Sequence, residues 1–356
     1  MDLSHKRILI VKPSSLGDVV HTLPIAHALK RCFPSCHVGW IVQENLRAIL
    51  ENDPAIDEII PISIPSTSDP QAPRGTFFNA AKETVRTLAR LRKRFRSRPY
   101  DLVLDLHASF RSGLLEMTNP GGFRIGFADA RELNTSFQHH RLVTDPDKPH
   151  AVDKNLAFSA YLDCPATEQD FRVVTGPAGQ EQARMFLEQA GIGESDRLVY
   201  ANPAARWETK FWTVEAWAEL ADLFISRGIA RVVFGGGLAD AAYIGAIAQA
   251  MNEKAAIAAG VLNLGESIAL LERADVYVGV DSGPMHVAAF TGTPVIALFG
   301  PTDPAKVGPY GRGHRVIRRE DLDCLGCRKR SCDDRKCLEG ITAEQVLRET
   351  VSLLHW

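Results

Sequence analysis

Apolar residues in this chain come in short continuous runs separated by stretches with helical spacing. That is the pattern of strands buried on both faces of a parallel sheet and alternating with helices. In the first half, 8–11 (ILIV), 37–42 (HVGWIV), 56–64 (interrupted by Pro61) and 100–106 (YDLVLDL) read as strands, and 121–127 as a strand core flanked by glycines. Residues 18–30 place Val19, Leu23, Ala26 and Leu29 on one helical face, and 77–95 do the same with Phe78, Ala81, Val85, Leu88, Leu91 and Phe95. Short helices are expected over 45–50 and 150–162, and loops over 66–75 and 128–140. A polar stretch with Pro165, Gly176, Pro177 and Gly179 reads as a domain boundary.

The second half repeats the logic. Strands are predicted over 198–201, 230–234, 276–280 and 295–299, with a short extended segment over 256–261. Helices are predicted over 180–190, 213–226, 239–251, 267–273, 284–290 and 341–355, with Thr213 and Thr342 as caps. Residues 300–313 read as a Pro- and Gly-rich loop. The expected class is α/β, with two doubly wound sheets. The predicted domains are 1–172 and 173–356, with the terminal helix staying in the second domain or packing back on the first.

Length agrees with two domains, since 356 residues exceed the usual span of a single core. A net charge of −2 with 45% hydrophobic residues describes an ordinary globular protein with little general pull toward nucleic acid. No run of 18 apolar residues is present, and the N-terminus has the pattern of a buried strand, so a cytoplasmic location is expected. One region departs from the average: seven of the thirteen residues over 86–98 are Arg or Lys. Such a run reads as a solvated helix face, or as a contact for an anionic membrane surface or a phosphorylated, acidic substrate, with Arg90 and Arg94 as candidate contacts; nucleic acid is a third reading, weakened by the lack of interleaved aromatics.

Candidate chemistry gathers where strands end. After 8–11, the turn Lys12-Pro13-Ser14-Ser15-Leu16-Gly17 leads into Asp18, at the strand-to-helix position where open α/β sheets bind ligands. By itself Asp18 reads equally as a helix cap, but Lys12, Ser14, Ser15 and His21 surround it. The strand at 100–106 releases His107, Ser109 and Arg111 toward the same edge. In the second half, Asp281-Ser282-Gly283 followed by Pro284 at the first helical turn reads as a phosphate site, with amides of Ser282, Gly283 and Met285 facing the ligand. Lys210 is the candidate cation beside it. Gly235-Gly236-Gly237 is not the spaced dinucleotide fingerprint, which argues against a nicotinamide dehydrogenase. His139 and His140 are adjacent and cannot both face one site from a regular strand.

Seven cysteines are present, four of them as Cys324-x2-Cys327-x4-Cys332-x4-Cys337. This spacing leaves zinc, an iron–sulfur cluster, disulfides and plain thiols open. Arg328, Lys329, Arg330, Arg335 and Lys336 are expected to lower the thiol pKa values. Without an export signal, a disulfide framework is not expected.

Several stretches, in order and over almost the whole chain, resemble glycosyltransferase family 9, the bacterial lipopolysaccharide heptosyltransferases. They are KPSSLGDVVHTLP, LDLHASFRSGLL, GFADARELNTS, HAVDKN, ARWETKFW, VGVDSGPMHVAAFTGTPVIALFGPTDP and the cysteine-bearing tail. The resemblance implies a GT-B fold, two Rossmann-like domains facing across a deep cleft, and an inverting, metal-independent transferase without a cofactor. It implies Asp18 as catalytic base and Lys210 as donor-phosphate lysine. Asp281, Ser282, Gly283 and His286 match the donor motif, with Arg206 and Asp240 as further donor contacts and Ser15, Gly17, His107 and Arg111 on the acceptor side. The implied reaction moves L-glycero-D-manno-heptose from ADP-heptose to Kdo on lipid A, at the cytoplasmic face of the inner membrane, with no nucleic acid and no obligate protein partner. The opening motif is closer to the first heptosyltransferase than to the second. Where the family usually has a Thr-Arg pair before the lysine, this chain has Ala205-Arg206-Trp207-Glu208. Two other readings are a GT-B transferase with another donor or acceptor and a non-catalytic nucleotide-sugar-binding protein.

Overall fold

The computed structural model describes residues 2–65 and 76–355, so the loop expected at 66–75 lies outside the described residues. The chain divides into two compact units, Met1–Phe171 and Arg172–Trp356. In the first, β1 (Arg7–Val11), α1 (Leu16–Val20), α2 (Leu23–Cys32), β2 (His37–Gln43), β3 (Glu58–Ile62), α3 (Thr76–Ser97), β4 (Leu102–Asp105), α4 (Phe110–Glu116), β5 (Phe123–Phe127), β6 (His140–Leu142) and α5 (Ala151–Tyr161) follow one another. In the second the order is α6 (Pro177–Gln189), β7 (Leu198–Asn202), α7 (Val214–Ser226), β8 (Arg231–Phe234), α8 (Ala241–Ala250), β9 (Ala256–Ile257), α9 (Leu264–Arg273), β10 (Val276–Val280), α10 (Gly283–Thr291), β11 (Val295–Leu298), α11 (Pro304–Val307), β12 (His314–Ile317), α12 (Lys336–Glu339) and α13 (Ala343–Leu354).

Each unit holds a six-stranded sheet, ordered β3-β2-β1-β4-β5-β6 in one and β12-β11-β10-β7-β8-β9 in the other. Every pairing is parallel. Counted from its own first strand, each sheet has the 3-2-1-4-5-6 order of the dinucleotide-binding fold, in which strand order reverses between the first and fourth strands. The loops leaving those strands diverge and leave a crevice at the carboxyl edge. In unit 1 the crevice lies between the ends of β1 and β4, and in unit 2 between those of β7 and β10.

The central strands are apolar because helices cover both faces: Ile8 to Val11 and Val276 to Val280 are buried throughout. In unit 1 the ring of Tyr100 lies on Gly39, where a Cβ would come within 2.1 Å of the phenol oxygen. The phenol donates to Glu58 at 2.8 Å. Burial pushes Glu58 up, but His37, Tyr100, Arg94 and Arg7 outweigh it and hold its carboxyl at about 2. In unit 2, Trp212 and Trp217 pack edge to face with centroids 5.2 Å apart. They share a core with Val346 and Leu347 of α13, so that helix packs on the sheet of unit 2. Thr342 caps α13 through Gln345 N–H and Thr213 caps α7 through Ala216 N–H, as the sequence predicts.

Two strands were not foreseen. β6 and β12 lie at sheet edges and read His-Arg-Leu and His-Arg-Val-Ile, too short and too polar to resemble buried strands. A second difference concerns cysteine: Cys32 at the end of α2 and Cys164 after α5 are joined in a disulfide, contrary to expectation. α2 and α5 pack side by side, which brings their C-terminal ends together.

Candidate active site

At the end of β1, Lys12 is nearly buried, and its ammonium is anchored by the Leu106 carbonyl at 2.8 Å and by Asp18 at 3.3 Å. Ser15 turns both its N–H and its hydroxyl onto the other oxygen of Asp18, at 3.0 and 2.7 Å. Burial raises the Asp18 pKa, but Lys12, the two Ser15 hydrogen bonds and His21 more than offset it and hold the carboxyl well below the ordinary carboxylate range. Asp18 is thus ionised at neutral pH, fixed in direction, and still 45% exposed. The helix expected over 18–30 is two helices. Pro24 in the first turn of α2 has no N–H to continue the ladder, and the chain turns at His21-Thr22, where Thr22 Oγ1 bonds the Asp18 carbonyl at 2.9 Å.

His107, at the end of β4, joins this group. Burial and then Lys12 lower its imidazole pKa, against opposing effects from Asp105, Asp18 and the Ser14 backbone, so the ring is neutral at neutral pH. Its backbone is fixed by Asp105, which is fully buried. Asp105 accepts from His107 N–H and Ala108 N–H at 2.9 and 3.1 Å, Ser112 Oγ at 2.8 Å and Asn134 Nδ2 at 2.6 Å. That set of donors lets Ala108 hold a φ of +57°. Arg111 follows in the first turn of α4, half-buried, and Gly17 is buried in α1.

Behind Asp105, Gln138 Nε2 donates to Glu116 Oε1 at 2.7 Å, while Glu116 Oε2 and Gln138 Oε1 are buried without a protein partner. A proton on Glu116 supplies the donor those two oxygens lack. Burial and the Asp105 charge push Glu116 up to about 9, against Arg124 and the Gln138 hydrogen bond. The folded pKa lies above the unfolded value, so this proton favours the folded state at low pH, and its contribution is lost as pH rises toward 9. The unfolding free energy should therefore fall between pH 5 and 9, at a limiting slope of about 1.4 kcal/mol per pH unit, and thermal midpoints should fall with it. Glu116→Gln, which keeps a donor and an acceptor in place, should flatten that fall, and an unchanged pH dependence in the variant would refute the assignment.

In unit 2, β7 ends at Asn202 and β10 at Val280, just before Asp281. Asp281 is nearly buried and accepts from Lys210 Nζ and Thr302 Oγ1, each at 2.6 Å. Ser282 is the N-cap residue of α10, its hydroxyl 3.2 Å from Asn202 Nδ2, and Gly283 and Pro284 form the first turn. His286 is buried on the same helix. The ammonium of Lys210 also lies 4.7 Å from the Trp207 ring centre. Arg206, in the same loop, is exposed.

Several of the sequence-derived candidates have partners within the protein. Ser15 directs its N–H and its hydroxyl to Asp18. Met285 N–H is taken by the Ser282 carbonyl at 3.2 Å, which removes it from the expected ring of ligand-facing amides. Asp240 closes the glycine turn by accepting Gly237 N–H at 2.8 Å. Arg94 is held by Glu58 at 2.6 Å and Arg90 donates to the Pro61 carbonyl at 2.9 Å, so both serve the sheet edge. Cys324, Cys327 and Cys332 are exposed and Cys337 is half-buried. Among the described residues, no three His, Cys, Asp or Glu side chains converge as metal ligands would. Instead of being lowered, the Cys337 pKa is raised, first by burial and then by the other three cysteines. Asp105, Thr302 and Trp207 were missed because a buried anchor, a distant threonine and an aromatic loop residue carry no local motif.

The family model described as glycosyltransferase family 9 (heptosyltransferase) matches residues 88–338. Lipopolysaccharide heptosyltransferase 1 of Pseudomonas aeruginosa is 30% identical, over 96% of this chain and 93% of that protein. Its Escherichia coli K12 namesake is 29% identical, over 89% and 95%. A crystal structure of a family 9 glycosyl transferase from Veillonella parvula superposes with a TM-score of 0.83 at 25% identity, covering 100% of this chain and 99% of that one. With these likenesses, the two Rossmann-like units are those of a GT-B fold.

Proposed function

Because the chain belongs to glycosyltransferase family 9, we propose that it transfers L-glycero-D-manno-heptose from ADP-heptose to Kdo of a lipid A acceptor, with inversion. The observation that carries this reading is the placement of an ionised, partly exposed Asp18 at the switch point of one sheet and of a cation and helix terminus at the switch point of the other. In the proposed reaction an acceptor hydroxyl attacks the anomeric carbon of the donor and its proton passes to Asp18. The bond from that carbon to the diphosphate oxygen breaks, and ADP leaves. Lys210 and the amides of Ser282 and Gly283 stabilise the charge on the departing diphosphate. Lys12 and Ser15 keep Asp18 ionised and aimed until the proton arrives.

The chain's likeness to proteins named heptosyltransferase 1 supports the first heptose addition over the second. The decisive assay offers ADP-heptose, UDP-glucose and GDP-mannose with Kdo-bearing lipid A, the same acceptor extended by one heptose, and the bare lipid. Release of ADP only with ADP-heptose and the unextended acceptor is expected. Transfer from another donor, or onto the extended acceptor, would replace this reading, and no turnover with any pair would favour a binding protein.

We place the protein at the cytoplasmic face of the inner membrane, docked through α3. Among the described residues no helix is long and apolar enough to cross a membrane. The outer face of α3 carries exposed Phe78 and Val85 together with Lys82, Arg92, Lys93 and Arg96, which suits an anionic surface. Replacing Arg92, Lys93 and Arg96 with Gln should reduce binding to phosphatidylglycerol vesicles by about tenfold or more without changing ADP affinity. Unaltered vesicle sedimentation would reject α3 as the docking face.

A further inference from the structure

The segment that carries four cysteines takes no part in the chemistry above, yet it is fastened to the donor-side cluster at several points. Thr209 Oγ1 donates to the Lys329 carbonyl at 2.9 Å, across 120 residues of chain. Gly326 N–H and Arg328 N–H donate to the carbonyls of Gly300 and Pro301 at 3.1 and 2.7 Å. The first link holds the loop of Lys210, and the other two hold the loop of Thr302; these are the two side chains that grip Asp281. Arg328 adopts a φ of +58°, an unfavourable conformation for a residue with a side chain, and its bond to Pro301 fixes it there.

Trp207 lies where these links meet. Its ring centre is 4.7 Å from Lys210 Nζ and 5.0 Å from the Arg330 guanidinium, so one indole receives two cations from segments far apart in sequence. An aromatic face attracts each cation and restricts where it can sit. The Lys210 charge is met by Asp281 at 2.6 Å, and the Arg330 guanidinium adds a second positive charge at the same ring, which strengthens the local attraction for a polyanion.

We infer that Trp207, with Arg330 seated on it, positions Lys210 for the donor diphosphate, which makes segment 324–337 part of the donor site. This rests on the reading of unit 2 as the nucleotide-sugar side. Trp207 and Arg330 are positioning residues: they act through the lysine and through the local positive potential.

The test is calorimetric binding of ADP and of adenosine to the full chain, with donor KM and kcat measured alongside. Trp207→Leu and Arg330→Ala should each weaken ADP binding about tenfold, raise donor KM similarly, change kcat less than threefold, and leave adenosine binding unaltered. Trp207→Phe and Arg330→Lys, which keep a ring and a charge, should recover most of the loss. Unchanged ADP affinity in both disruptive variants would overturn the inference alone. Equal losses for ADP and adenosine, or no recovery in the conservative variants, would also overturn it by showing a merely structural effect. A wild-type chain that binds no ADP would overturn the donor reading and this inference together.

Discussion

Asp18→Asn should lower turnover by about 10³-fold, the scale of a lost general base, while ADP affinity stays within twofold of wild type. The amide keeps the size of the side chain and can still accept from Ser15, so the turn that presents it should survive. It cannot accept the acceptor proton, and it no longer offsets the charge of Lys12. Thermal unfolding of the variant, followed by circular dichroism, should remain close to that of wild type. The wild-type carboxyl lies well below the ordinary carboxylate range, so kcat/KM should stay flat from about pH 7 down to about pH 5, where an ordinary carboxylate would begin to protonate. Turnover near wild-type levels in Asp18→Asn would end its assignment as base.

Lys210→Ala should damage both binding and folding. It leaves Asp281 nearly buried with Thr302 as its remaining named donor, and removing one partner of a buried pair costs about 3–5 kcal/mol. A fall of several degrees in thermal midpoint is expected, together with an ADP affinity reduced by about 100-fold. The double variant Lys210→Ala/Asp281→Ala separates the two effects. Removing the orphaned carboxylate should restore much of the stability, and ADP binding should stay weak because the cation is still missing. If the double variant also recovers ADP binding, the lysine serves the fold rather than the donor.

The alternation of apolar runs with helical spacing made the two sheets legible, because buried parallel strands must be continuously apolar whatever surrounds them. Asp18, Lys210 and Asp281 were singled out for a related reason: each stands just after or close to a strand end, where the fold gathers polar groups. The edge strands β6 and β12 were not legible, since they contribute little to the core and are chosen for backbone pairing alone. The break between α1 and α2 was visible in Pro24, yet the apolar spacing runs on across it. Relations among distant residues were the least accessible. That Asn134 steadies the Asp105 carboxylate that holds the His107 loop, or that Lys329 ties down Thr209, depends on which loops the fold brings together. The expected solvated run at 86–98 is exposed at all seven of its basic residues, although Arg90 and Arg94 also reach back to the sheet edge.

Both sheets share one strand order, and both place their reactive groups on loops beyond the strand ends rather than on the strands. The frame and the chemistry are therefore separable inheritances. On the proposed assignment of acceptor and donor sides, substitutions in the loops after β1 and β4 would alter which hydroxyl is accepted without disturbing a single ladder hydrogen bond, and those after β7 and β10 would alter which leaving group is held. A lineage built this way can change acceptor and donor one at a time, each through a few surface residues, while the cores that make the protein fold are left alone.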